Sequence, residues 1–427
     1  MSIREEICKF VFDLPIVDTH AHLRDPATLP QPMSALALFN ASGNMRQLWA
    51  SSGALSRQDY RQLEEFRNWD EFSAALSSVK ATAFYRIFLN GIKEIYDLSS
   101  DELDRSTFEE LSEKLSRAYE EPDWYVKVIR DRAGICATCQ DSRRYVDRSF
   151  LTPVARFDQY VWFGRPEWRA KVVEKHGYEK LTSLDGLLEC LEQDFDQAIR
   201  AGAAAVKNNS TWCRRIDFSD SSRSDAESAF ADSISSKEYD PRATKCLGDY
   251  VMNRICELCA HYDVPLQLHT GPAGGLDHMV DWGNPCHLNE LMIRHPKTKF
   301  VLFHAGGPFA NECRDLAVQI PNCYLDLCGV MAVRGLKAIL DDWIERVPHT
   351  KLMWGTDANL AEDAFALAAN FRTVLVDLLE ERVNSRYFSL ETALEVSEAL
   401  LSGNAKRILK IDLKEPQSSN REGDKDA

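Results

Sequence analysis

Four of the ten histidines close short apolar runs, and so does one aspartate. His20 and His22 lie in IVDTHAHL, His269 in VPLQLHTG, His304 in KFVLFHAGG and Asp357 in KLMWGTDAN. Arg156 and Lys207 end two further runs, FLTPVARFD and GAAAVKNNS. Ile16 and Val17 are β-branched and apolar, so the first run starts as a buried strand. Strand side chains alternate faces, which puts His20 and His22 on the same side, one pleat apart. Three neutral imidazoles and one carboxylate make a sensible zinc site with a further position open for water. Such an ion would lower the pKa of its water to about 7 and polarise a substrate carbonyl. Asp357 could then serve as base for that water while touching the metal, and His304 could orient substrate or carry a proton.

Groups so far apart in the chain meet only if the fold gathers strand ends. Eight runs read as strands: those just named, AGICATCQD after the first, and NCYLDLCG before the last. From the second onward they alternate with amphipathic helical segments, which implies parallel βαβ units. Eight such units match a (β/α)8 TIM barrel, whose active site lies at the C-terminal ends of its strands. No Gly-rich phosphate loop follows the first strand, which weighs against a dinucleotide-binding sheet. After His22 the strand pattern stops for about a hundred residues. RQDYRQLEEFRNWDEFSAALSSV and DELDRSTFEELSEKLSRAYEEP show helical spacing, so residues 24–127 read as a helical insertion capping the barrel. Residues 1–411 then form one barrel, and 412–427 a polar, disordered tail. The Ser- and Asp-rich stretch from Ser219 to Asp240 reads as a surface loop.

The length of 427 residues suits a barrel with an insertion, and the 44% hydrophobic content is ample for a large core. A net charge of −15 argues against a nucleic-acid surface. No run approaches the roughly 20 apolar residues of a membrane span, and the N-terminus lacks a signal-peptide pattern. Twelve scattered cysteines fit free thiols in a reducing cytoplasm. Of the two CxxC pairs, Cys136 and Cys139 face opposite sides of a strand, and Cys256 and Cys259 occupy buried helical positions. His261 reads as a helix-end residue, and His176, His295 and His349 as residues of surface loops. His278 and His287 fall in the segment after the fifth strand, and Asp326 and Cys328 read as core and rim of the seventh.

The DxHxH pattern, His on the fifth and sixth strands and Asp on the eighth resemble the amidohydrolase superfamily. PLQLHTGPAGGLD, NPCHLNELMIRHPKTKFVLFHAGGPF, NCYLDLCG, KLMWGTDAN and SGNAKRIL are similar to its amidohydrolase-related (amidohydrolase 2) branch. Within that branch they resemble the barrel domain joined to glutamine-synthetase-like domains in some plants and fungi. The resemblance runs from Pro15 to about Ile411 and is weakest over Arg24 to Lys127. It implies His20, His22, His269 and Asp357 as metal ligands, with His304 a catalytic residue beside one Zn2+, Mn2+ or another divalent ion. Lys207 would be a substrate-binding cation in a mononuclear site, or a carbamylated bridge in a binuclear one. Arg24, Arg156 and Arg214 also follow strand ends and, with Trp212, point to a small carboxylate-bearing substrate. The leading expectation is metal-dependent hydrolysis of an amide, ester or lactone. A decarboxylase or uronate-isomerase-like reaction on the same site is the alternative, and a catalytically silent binding barrel is the reading from another class. Self-association through the insertion is a further expectation.

Overall fold

The computed structural model describes residues 2–42, 65–141, 145–235, 239–273, 278–330 and 333–412. Its eight strands are β1 (Ile16–Ala21), β2 (Ile135–Gln140), β3 (Leu151–Arg156), β4 (Ala205–Asn208), β5 (Leu266–His269), β6 (Phe300–Phe303), β7 (Cys323–Asp326) and β8 (Leu352–Met353). All are parallel and lie in chain order, each hydrogen-bonded to the next. Closure comes just after β8, where Ala358 bridges Ala21. Three backbone bonds extend that seam: Asp357 N–H to His20 O, His22 N–H to Ala358 O, and Arg24 N–H to Asn359 O. The segment holding Asp357 is thereby registered against the strand holding His20 and His22. The expected (β/α)8 barrel is present.

The strands are short and apolar on both faces because a parallel barrel buries both. Val17, Ala137, Cys139 and Ala205 pack together in one buried cluster, and Val301, Phe303, Cys328 and Met353 in another. Cys136 is exposed where Cys139 is buried, and Cys256 and Cys259 are both buried, as their spacing predicts.

Between β1 and β2 the chain forms helices Ala35–Ala41, Trp69–Val79, Ala83–Tyr96 and Arg105–Ala118. Ser34, Asn68 and Asp104 start three of them by accepting a backbone N–H of the first turn. Ala83–Tyr96 lies against the long helix Ala361–Asn384, and their approach is close at Gly91: a Cβ there would lie 2.4 Å from that of Ala366. Part of the insertion (43–64) and the expected tail beyond Asp412 lie outside the described residues.

Two expectations change. The stretch expected as a loop contains the helix Arg223–Ser235, whose Ala226, Ala229, Phe230 and Ser233 are buried at helical spacing. Small residues carry that face, so its periodicity is faint in the sequence. The strict alternation of strand and helix also fails once: residues 141–150, joining β2 to β3, contain no helix among the described residues.

Candidate metal centre

His20 is buried within β1, and its ring meets three neighbours. The His22 ring lies 4.7 Å away edge-on, Phe303 at 4.8 Å and His304 at 6.1 Å. Asp357 faces these histidines, with Oδ1 3.4 Å from His20 Nε2 and 3.5 Å from His22 Nε2, and Oδ2 3.9 Å from His304 Nδ1. His269 joins through His304, whose Nε2 is 3.1 Å from His269 Nδ1. His20, His304 and Asp357 each bring one donor atom within 4.8 Å of the others, and so do His20, His22 and Asp141. Neither of these groups of three contains His269.

Asp141 was not singled out from the sequence. It closes β2 as the other candidates close their strands, and that position was its signal. Its side chain is almost fully buried, with Oδ2 4.0 Å from His22 Nε2, while His22 Nδ1 meets its backbone carbonyl at 3.1 Å. Its carboxylate also accepts two bonds from the Arg156 guanidinium, from Nε and Nη2.

A divalent cation fits this donor set. His20 and His22 both turn Nε2 toward Asp357 Oδ1, so two imidazole nitrogens and a carboxylate oxygen converge on one place. Burial pushes the pKa of His20 and His269 well below the ordinary value, with Lys207 adding to it at His20 and His304 at His269. Burial likewise lowers His304 to about 4, against the pull of Asp357. Neutral imidazoles are the form that binds metal. His22 Nδ1 and His304 Nδ1 each face a backbone carbonyl, of Asp141 and of Cys328 at 3.0 Å. At His22 such a contact sets the tautomer and leaves Nε2 for an ion, while His304 Nε2 meets His269 Nδ1.

Lys207, at the end of β4, is fully buried, with its ammonium 3.7 Å from the centre of the Phe303 ring and without a hydrogen-bond partner. Burial lowers its pKa to about 8. The Trp212 ring lies 6.0 Å from His269. Arg24 contributes its backbone N–H to the β1 seam. Arg214 is drawn instead to Asp249, at 2.6 Å, and to Asp217. Asp326 is fully buried and accepts a bond from Thr19 Oγ1 at 2.6 Å. His176 proves not to be a loop residue: it ends the helix Pro166–His176 with Nε2 3.0 Å from Asp194.

His304 and Asp357 have φ of 63° and 57°, a left-handed conformation that side chains seldom adopt. Gly329 faces both, and a Cβ there would lie 2.9 Å from Asp357 Oδ2 and 3.2 Å from His304 Nδ1.

Residues 231–411 match the family model described as amidohydrolase. Protein fluG of Emericella nidulans is 30% identical over 262 residues, which cover 57% of this chain and 30% of that protein. The chain therefore spans less than a third of the length of that relative. Two solved structures superpose along almost the whole chain, each at 17% identity. Uronate isomerase from Thermotoga maritima gives a TM-score of 0.76 over 95% of this chain and 97% of its own. Glucuronate isomerase from Caulobacter crescentus gives 0.78 over 97% and 95%. At that identity the likeness is one of fold.

Proposed function

We propose that this chain is a metal-dependent hydrolase of the amidohydrolase superfamily, cleaving an amide, ester or lactone bond in a small anionic substrate. The observation that carries the reading is the meeting of four histidines and Asp357 at the strand ends. In this reading His20, His22, His269 and Asp357 hold one Zn2+ ion. A divalent cation there supplies Lewis acidity, activating water and polarising a carbonyl. Asp357 accepts the proton lost from the attacking water. His304 donates through Nδ1 to the Cys328 carbonyl, so its Nε2 is left to hold or pass on a proton. Lys207, the unpartnered buried cation, meets the substrate carboxylate, and Trp212 packs beside it. Arg156 acts through Asp141, Arg214 is held by Asp249, and Arg24 follows His20 and His22 at the end of β1. Residues 24–127 cap the site, and the unbridged cysteines support a cytoplasmic location.

A second reading has its own support: the two isomerases named above superpose over 95% and 97% of this chain. The two readings part on assay. Protein loaded with zinc or manganese is offered N-acyl amino acids, lactones and aryl esters in one arm, and uronic acids in the other. Hydrolysis, falling by about 100-fold or more in Asp357→Asn, is the expected result. Aldose–ketose interconversion of a uronic acid without hydrolysis would replace it with the isomerase. Less than about half an equivalent of transition metal in purified protein, with no activity gained on adding zinc or manganese, would leave a non-catalytic barrel.

A further inference from the structure

Among the described residues no helix lies between β2 and β3. The outer side of β3 there shows an exposed Pro153, and a cavity of about 920 Å3 lies between β3, the helices Pro166–His176 and Leu184–Arg200, and the segment holding Tyr145 and Arg148. Interiors pack without voids larger than a water, and ligand pockets run from about 300 to about 1,000 Å3. This space has the size of the second kind. Ala155, Ala198, Ala201 and Ala203 line it where larger side chains would fill it.

Most charged side chains of its lining are cationic. Among the described residues Asp194 is the one carboxylate of the lining, and it is already met by Lys175 at 2.7 Å, His176 at 3.0 Å and the Tyr160 hydroxyl at 2.7 Å. Arg148 and Lys171 are exposed at the same cavity and form no ion pair among the described residues. Lys171 is set over the Trp168 ring at 3.7 Å. In a chain of net charge −15, an apolar recess rimmed by unmatched cations selects for an apolar body with one negative end.

We propose that this recess in the barrel wall is a binding site for an amphipathic carboxylate, with its apolar part against the alanines and its carboxylate at Arg148 and Lys171. Arg156, which pairs with Asp141, borders both this recess and the metal centre, but the proposal does not rest on the reaction proposed there.

Titration calorimetry of the full chain with octanoate, octanol and octylamine tests it. Octanoate binds saturably, octanol about 10-fold more weakly or worse, and octylamine weakest of all. Ala198→Phe fills the recess and abolishes octanoate binding without changing the zinc content. Arg148→Ala with Lys171→Ala, both at the surface, weakens octanoate about 10-fold and leaves octanol unchanged. No saturable binding at millimolar octanoate overturns the proposal, as does binding that survives Ala198→Phe. Should Ala198→Phe fail to fold, the surface pair decides: unchanged octanoate affinity overturns it.

Discussion

Asp18 is what makes His20 and Asp357 neighbours. Its Oδ1 accepts the backbone N–H of His20 at 3.2 Å and of Thr356 at 2.8 Å, while Oδ2 accepts the Thr356 hydroxyl at 2.6 Å. One buried carboxylate thus clamps the residue before Asp357 to the strand carrying two histidines. The clamp helps to hold Asp357 in its left-handed conformation, a state costing about 1–3 kcal/mol that persists only where the surroundings over-determine it. Asp141 does similar work for His22, through its carbonyl and its carboxylate together. Replacing Asp141 by Ala should weaken zinc binding by about 10- to 100-fold, the usual cost of losing a group that orients a ligand. It would also leave Arg156 without its partner. Competition with a chromophoric chelator measures the change, and an affinity equal to that of the parent would remove Asp141 from the site. His20→Ala, which deletes a proposed ligand, should cost more than Asp141→Ala in the same assay.

At the scale of elements, the question is how the helical insertion is fixed to the barrel. The join lies at the start of the helix Ala361–Asn384, four residues beyond Asp357. Glu362 is fully buried there and accepts bonds from the Tyr96 hydroxyl at 2.6 Å and the Tyr119 hydroxyl at 3.0 Å, both from the insertion. Asp363, next to it, accepts from Ser42 Oγ at 2.9 Å. Tyr96→Phe leaves the Glu362 carboxylate with one donor fewer, and should cost about 1–3 kcal/mol in a urea unfolding series. Tyr119→Phe added to it should cost more than the two single changes summed, since the second change leaves the carboxylate with neither tyrosine. Strict additivity would mean the tyrosines do not share it. None of this was legible in the sequence, where Glu362 and the tyrosines are separated by more than two hundred residues and carry no periodic signal. The barrel strands were legible because most of them bury both faces and so read as apolar runs, with the polar end residue standing out. The same contrast marks Asp141, but β2 ends in a polar cluster that hides it. The helix Arg223–Ser235 gives little periodic signal because Phe230 is the one large residue on a buried face otherwise made of alanine and serine.

For the molecule as a whole, buried titratable groups pull stability in opposite directions with pH. Burial raises Asp18 and Asp363 to about 7 and Asp326 to about 6. Unfolded, an aspartate titrates near about 3.9, so between there and the raised value the folded chain holds a proton that the unfolded chain has lost. Stability from these groups is therefore present at low pH and lost as pH rises through that window. The buried histidines act the other way: with pKa values pushed down, they stay neutral in the fold while the unfolded chain takes up protons below about 6.5. Their contribution is lost as pH falls. Across the overlap the two sets oppose each other, and metal-free protein should show a shallow pH dependence there. Asp363→Asn removes one member of the first set from a position outside the metal centre. Relative to the parent, the variant should gain stability with rising pH, by about 1.4 kcal/mol per unit between about pH 4 and about pH 7, and level off above. Urea midpoints for both proteins across that range, with chelator present, give the difference directly. A difference that stays constant with pH would mean that Asp363 is ionised in the fold throughout, held so by Ser42 and the Asn359 N–H at 3.3 Å.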